Sequence, residues 1–143
     1  AVPPRAEARC HLRFVPPLQP DRIVPILRAH LDERGFEPVA IVPHEAMAAT
    51  RMSPEHPLVR WAAASLAATT GKPAALLPNL GGSLPNAVFA QTLGLPTLWV
   101  PHSYAGCRQH APDEHVLPGL MREALAVMAG LWWDLGEGLP SAA

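Results

Sequence analysis

Cysteine is nearly absent, with Cys10 and Cys107 as the two thiols in 143 residues. They are too few and too far apart for a metal knuckle, a CxxC redox pair or a disulfide framework. Both read as reduced thiols, as in a cytoplasmic protein. A charge excess is also missing: 11 basic and 12 acidic residues leave a net charge of -1. No broad field therefore draws in nucleic acid or an anionic membrane. Hydrophobic residues make up 49% of the chain, yet no apolar run reaches the roughly eighteen residues that a membrane span needs. No basic start followed by an apolar stretch and a small-residue cleavage site is visible, so no secretory leader is expected. No repeat of roughly 20 to 50 residues signals a solenoid.

What the chain has in excess is proline, 18 of 143 residues, well above the ordinary usage of about 5%. The prolines fall between periodic segments and form no tract, so they mark loops and element ends. From Ala6 to Val15 the sequence alternates, with Ala6, Ala8, Cys10, Leu12 and Phe14 on one face and Glu7, Arg9, His11 and Arg13 on the other. This period of two predicts a half-buried strand. Asp21 is a candidate N-cap for a helix to Arg34 with Gly35 as its stop and Pro25 in its first turn. Val39–Val42 reads as a second strand, and strand, helix, strand suggests part of a split βαβ sandwich.

Beyond a boundary near Ser53-Pro54, Leu58–Thr70 predicts an alanine-rich helix capped by Gly71. A brief helix over Pro85–Leu93 ends at Gly94, and Leu95–Val100 reads as a buried strand. The stretch His102–His115 is aperiodic and polar, so a loop is expected. A final helix runs from Pro118 to about Asp134, with Leu120, Met121, Ala124, Leu125, Met128, Leu131 and Trp132 turned to a core.

Three polar constellations can carry chemistry. In Gln109-His110-Ala111-Pro112-Asp113-Glu114-His115 the imidazoles and carboxylates are zinc-ligand types; alternatively, Asp113 and Glu114 favour the positive start of the last helix and the histidines are surface residues. In Asn79-Leu80-Gly81-Gly82-Ser83-Leu84-Pro85-Asn86 two glycines allow close backbone approach, and helix-start amides with a serine hydroxyl suit an anion. A plain turn is the alternative, and with no lysine after it this is not a phosphate loop. Arg13 on the first strand and Arg51 after the second are either solvated or a bidentate grip on a carboxylate.

Taken together and in order, these segments resemble the M20 peptidase family of metal-dependent amidohydrolases, which includes acetylornithine deacetylase, aminoacylase and carnosinase-like dipeptidases. Val2-Pro3 to Arg13-Phe14-Val15-Pro16 looks like the opening strand of the family's lid. Gly81-Gly82-Ser83-Leu84-Pro85 is similar to its GGS/T-x-P turn. Leu93-Gly94-Leu95-Pro96 and His110-Ala111-Pro112-Asp113-Glu114 match its LG-x-P strand and H-[SA]-P-[ND]-E loop.

The resemblance implies an α/β fold. Residues 1–53 would be the end of a small βαββαβ lid, or dimerisation, domain, 54–137 the carboxyl-terminal segment of a zinc-peptidase-like catalytic domain, and 138–143 a tail. It implies His110 as the last metal ligand of a site of two zinc ions, with cobalt or manganese as alternatives. Gly81, Gly82 and Ser83 would contact substrate, and Arg13, with Arg51 as second candidate, would hold its carboxylate. The substrate would be a small N-acyl amino acid or a dipeptide, and the enzyme a homodimer through its lid. The family's H-x-D motif, bridging aspartate and Glu-Glu pair have no counterpart here, so the resemblance implies that an amino-terminal segment completes the site and that this chain alone is inactive and retains no zinc. A non-catalytic assembly piece is the other reading, and a nucleotide-binding module the third.

Overall fold

A computed structural model describes residues 2–138. Its helices are α1 (Pro20–Glu33), α2 (Pro57–Thr70) and α3 (Pro118–Glu137), with a π-helical turn at Val88–Thr92 and a 3₁₀ turn at Ala105–Cys107. Helix accounts for 42% of the described residues, and no strand or sheet occurs among them. This overturns the expected α/β fold, both the βαββαβ lid and the zinc-peptidase-like sheet. The physical reason lies in pairing. A strand is held by a neighbour's amides and carbonyls, and alternation only says which face would be buried if a neighbour came. Residues 2–14 make no backbone hydrogen bond to other described residues outside helices, and neither do Leu95–Val100. Proline removes donors at Pro96 within the second segment and at Pro38 and Pro43 around Val39–Val42. The sheet edge through which a lid would dimerise is therefore absent among the described residues. No helix among these residues is long and apolar enough to cross a membrane.

The chain divides into two compact units. One combines Ala1–Arg51 with Asn79–Gly94, the other Met52–Pro78 with Leu95–Ala143. In the first, α1 starts one residue before the expected cap. Gln19 is extended and Pro20 opens the helix with its φ already set, while Asp21 lies in the first turn without capping. Pro25 consequently falls in the second turn, where its missing amide leaves the Asp21 carbonyl without its usual partner. The helix stops at the predicted place. Gly35 takes φ 78°, its amide donates to Asp32 O at 3.1 Å, and the Phe36 amide donates to Leu31 O at 2.9 Å. This is a Schellman closure that needs the left-handed residue. The Arg28 guanidinium then ties the exit down, donating to the carbonyls of Phe36 and Val39 and pairing with Asp32 at 2.7 Å.

In the second unit α2 follows the sequence closely. His56 precedes Pro57 and its Nδ1 accepts from the Leu58 amide at 3.1 Å, while Gly71 ends the helix at φ 69°. Val59, Ala62 and Ser65 are the buried residues of α2, and Ala124 and Val127 those of α3. The spacing of three along each helix puts these small side chains on one stripe, where α2 and α3 pack together. The face expected for α3 is rotated: Leu125 and Trp132 are about seven-tenths exposed, and Val127, absent from the expected set, is buried. Because α3 is apolar almost all round, its periodicity cannot choose a face. Close approach to α2 chooses instead, and it selects small residues. The predicted tail beyond Gly138 lies outside the described residues.

Gly130 marks that approach, since a Cβ placed there would overlap the Thr69 hydroxyl. Gly130→Ala is expected to lower the melting temperature, although alanine favours an isolated helix by about 1 kcal/mol. Adding Thr69→Ala should recover the loss. Circular dichroism melts of the two variants check this, and a higher melting temperature for Gly130→Ala alone would contradict the packing.

Candidate functional site

The first unit holds all five residues singled out for substrate contact, Arg13, Arg51, Gly81, Gly82 and Ser83. Arg13 Nη1 donates to Ser83 Oγ, joining residues 70 positions apart. The adjacent polar tie is Asn86 Nδ2 to Thr50 Oγ1 at 2.7 Å. The chain at and just after the Gly81–Ser83 turn is thus held to the preceding chain twice, at Ser83 through Arg13 and at Asn86 through Thr50 beside Arg51. Arg51 itself is exposed and makes no side-chain hydrogen bond among the described residues.

Gly81 and Gly82 do not use the left-handed region, which Gly35, Gly71, Gly94 and Gly138 occupy. Nothing lies within 4 Å of where their Cβ atoms would be. Their glycine character is therefore required neither by backbone conformation nor by packing. It leaves open space beside Ser83. The expected helix-start amides are not where an anion at Ser83 needs them: the short turn begins at Asn86 and ends by Thr92. The capacity for an anion resides in side chains. Ser83 Oγ accepts from Arg13, which leaves the hydroxyl proton free to donate, and the guanidinium retains most of its five N–H donors.

The second unit carries the histidine loop. His110 is exposed and has φ 63°. Its amide donates to the Glu114 carboxylate at 3.3 Å, and Asp113 pairs with Arg108 at 3.2 Å. These partners remove the alternative role of the carboxylates at the start of α3, whose first turn holds no acidic residue. His115 turns away to Tyr104, whose hydroxyl is 3.0 Å from Nε2. No group of three or more histidine, cysteine, aspartate or glutamate side chains able to hold a metal forms among the described residues. A catalytic zinc requires three protein ligands. The residues present do not fit a complete zinc site, and His110 stands as a single donor.

Comparison with protein-family models, curated proteins and solved structures finds no match to this chain. The residues must therefore be read on their own geometry. Sequence reasoning missed Tyr104 and Gly106, because the pairing of Tyr104 with His115 spans a loop without periodicity. It also missed Thr50 as the partner of Asn86, since Thr50 belongs to no recognisable motif. Asn86 Oδ1 is buried without a partner, so its amide depends on Thr50 alone. Thr50→Val should weaken the attachment of the Gly81–Ser83 turn by about 1–3 kcal/mol, the range for a buried polar group left unsatisfied. Faster amide exchange at Val88 and Leu93, with α2 and α3 unchanged, is the expected result.

Proposed function

We propose that this chain forms part of a metal-dependent hydrolase acting on the amide bond of N-acyl amino acids or dipeptides. Its first unit recognises the substrate carboxylate and His110 supplies one metal ligand. The observation that carries the reading is the contact between Arg13 and Ser83. Two residues that separate motifs assign to substrate contact share one hydrogen bond, and nothing crowds the Cβ positions of the neighbouring Gly81 and Gly82. A carboxylate there would accept from the guanidinium fork and from the freed serine hydroxyl, which is charge-assisted pairing of the strong kind. Arg51, in the same unit, is the second candidate for that carboxylate. In this reading zinc, or cobalt or manganese in its place, is bound only when further ligands come from a segment outside these 143 residues. The free thiols of Cys10 and Cys107 favour a cytoplasmic setting.

The chain alone should then bind carboxylates and hydrolyse nothing. Titration with N-acetylornithine should shift the amide resonances of Gly81, Gly82 and Ser83, while the corresponding carboxamide should not. Arg13→Lys replaces a planar fork by a point charge and should weaken binding by about 1.5–3 kcal/mol. Equal shifts with acid and carboxamide would refute carboxylate recognition. In a steady-state assay with added zinc no turnover is expected; turnover abolished by His110→Ala would contradict the requirement for a second segment.

A specific observation favours a second reading, that of a non-catalytic assembly piece whose partner is another copy of the chain. On α3, Leu125, Trp132 and Trp133 are exposed, and Trp61, Leu98, Val100 and Met128 line an apolar groove beside Trp132. Sedimentation over a range of concentrations should show self-association that Trp132→Glu reduces. A concentration-independent monomer of 15.3 kDa would exclude this reading.

A further inference from the structure

We infer that Tyr104 and His115 form a side-chain latch that closes the 104–115 loop, and that both are positioning residues for His110. The use of the loop rests on the proposed ligand role of His110; the latch itself does not.

His115 Nδ1 lies 2.9 Å from the carbonyl oxygen of Asp113. A carbonyl oxygen only accepts, so Nδ1 carries the proton of the neutral ring. Nε2 is then bare and accepts the Tyr104 O–H at 3.0 Å. Each nitrogen of the ring thus has one assigned role. The tyrosine ring is seated on Gly106, where an added Cβ would stand 3.0 Å from Cζ and 3.2 Å from Cδ2, closer still to the ring edge between them. Gly106 is not among the positive-φ glycines, so it is needed for the approach of the ring and not for backbone freedom. Three backbone bonds lie within the same loop, from the Cys107 amide to Tyr104 O at 3.0 Å, from the Ala111 amide to Arg108 O at 2.9 Å around His110, and from the His115 amide to Cys107 O at 3.1 Å.

Within this closure Arg108, His110 and Asp113 take φ 56°, 63° and 63°. Side-chain-bearing residues resist that region and stay there only when their surroundings impose it. The Tyr104–His115 pair is the side-chain element that joins the two ends. Released from it, the backbone at His110 returns to negative φ and the imidazole leaves its present direction.

The test is nuclear magnetic resonance of the ¹⁵N-labelled chain at a pH well above the ordinary histidine value of about 6.5. Long-range proton–nitrogen correlations should show His115 in its Nδ1–H tautomer. In Tyr104→Phe the His115 amide should exchange about tenfold faster, the effect of one neutral hydrogen bond, and the scalar couplings of His110 should change to those of negative φ. His115→Gln keeps an acceptor for the Tyr104 hydroxyl and should retain part of the protection that His115→Phe loses. An Nε2–H tautomer, or His110 couplings unmoved in Tyr104→Phe, would overturn the latch. The tautomer is read on the unsubstituted chain, so the assignment is decided even where a variant fails to fold. No readout uses metal or substrate, and failure of the latch is thereby separate from failure of the hydrolase reading.

Discussion

The second unit depends on how closely α2 and α3 can approach. Ala62, Ser65, Ala124, Val127 and Gly130 contribute little side-chain volume, and the Thr69 hydroxyl occupies the space that a Cβ on residue 130 would fill. Close contact of this kind gains dispersion over many small atom pairs, but it buries little apolar area per residue. No large side chain in the described residues is fully buried. The large apolar groups of α3 remain outside as a consequence, and the surface available to a partner follows directly from the small-residue contact.

Cohesion in the first unit has a different origin. α1 has no buried residue, and its connections are polar: the Schellman closure, the Arg28 fork, Arg13 with Ser83, and Asn86 with Thr50. Exposed polar ties each contribute little to stability, and segments with few buried apolar contacts open locally at low free energy. That looseness would suit the carboxylate recognition proposed for Arg13 and Ser83.

Chemistry and backbone strain meet in the histidine loop. Three left-handed residues within six positions cost about 1–2 kcal/mol each relative to relaxed backbone. The carboxylates that resemble metal ligands in the sequence are occupied, Asp113 by Arg108 and Glu114 by the amide of His110. Among the described residues the His110 imidazole has no partner, and it sits on a loop whose ends are held by Tyr104 and His115.

Local chemistry determined the helices. Pro20, Pro57 and Pro118 stand at first helical positions and Gly35 and Gly71 follow helix ends, because φ restriction and φ freedom act within a residue or two. Residue type marked Arg13, Ser83 and His110 as possible donors or ligands, and their roles were assigned through the family resemblance. Strands were beyond the same reasoning: the alternation at Ala6–Val15 states a preference, whereas a ladder needs a second segment that does not come. The buried face of α3, the meeting of Arg13 with Ser83 and the pairing of Tyr104 with His115 were decided only by tertiary structure. Each depends on two segments distant in sequence, and neither composition nor period in one segment carries the position of the other.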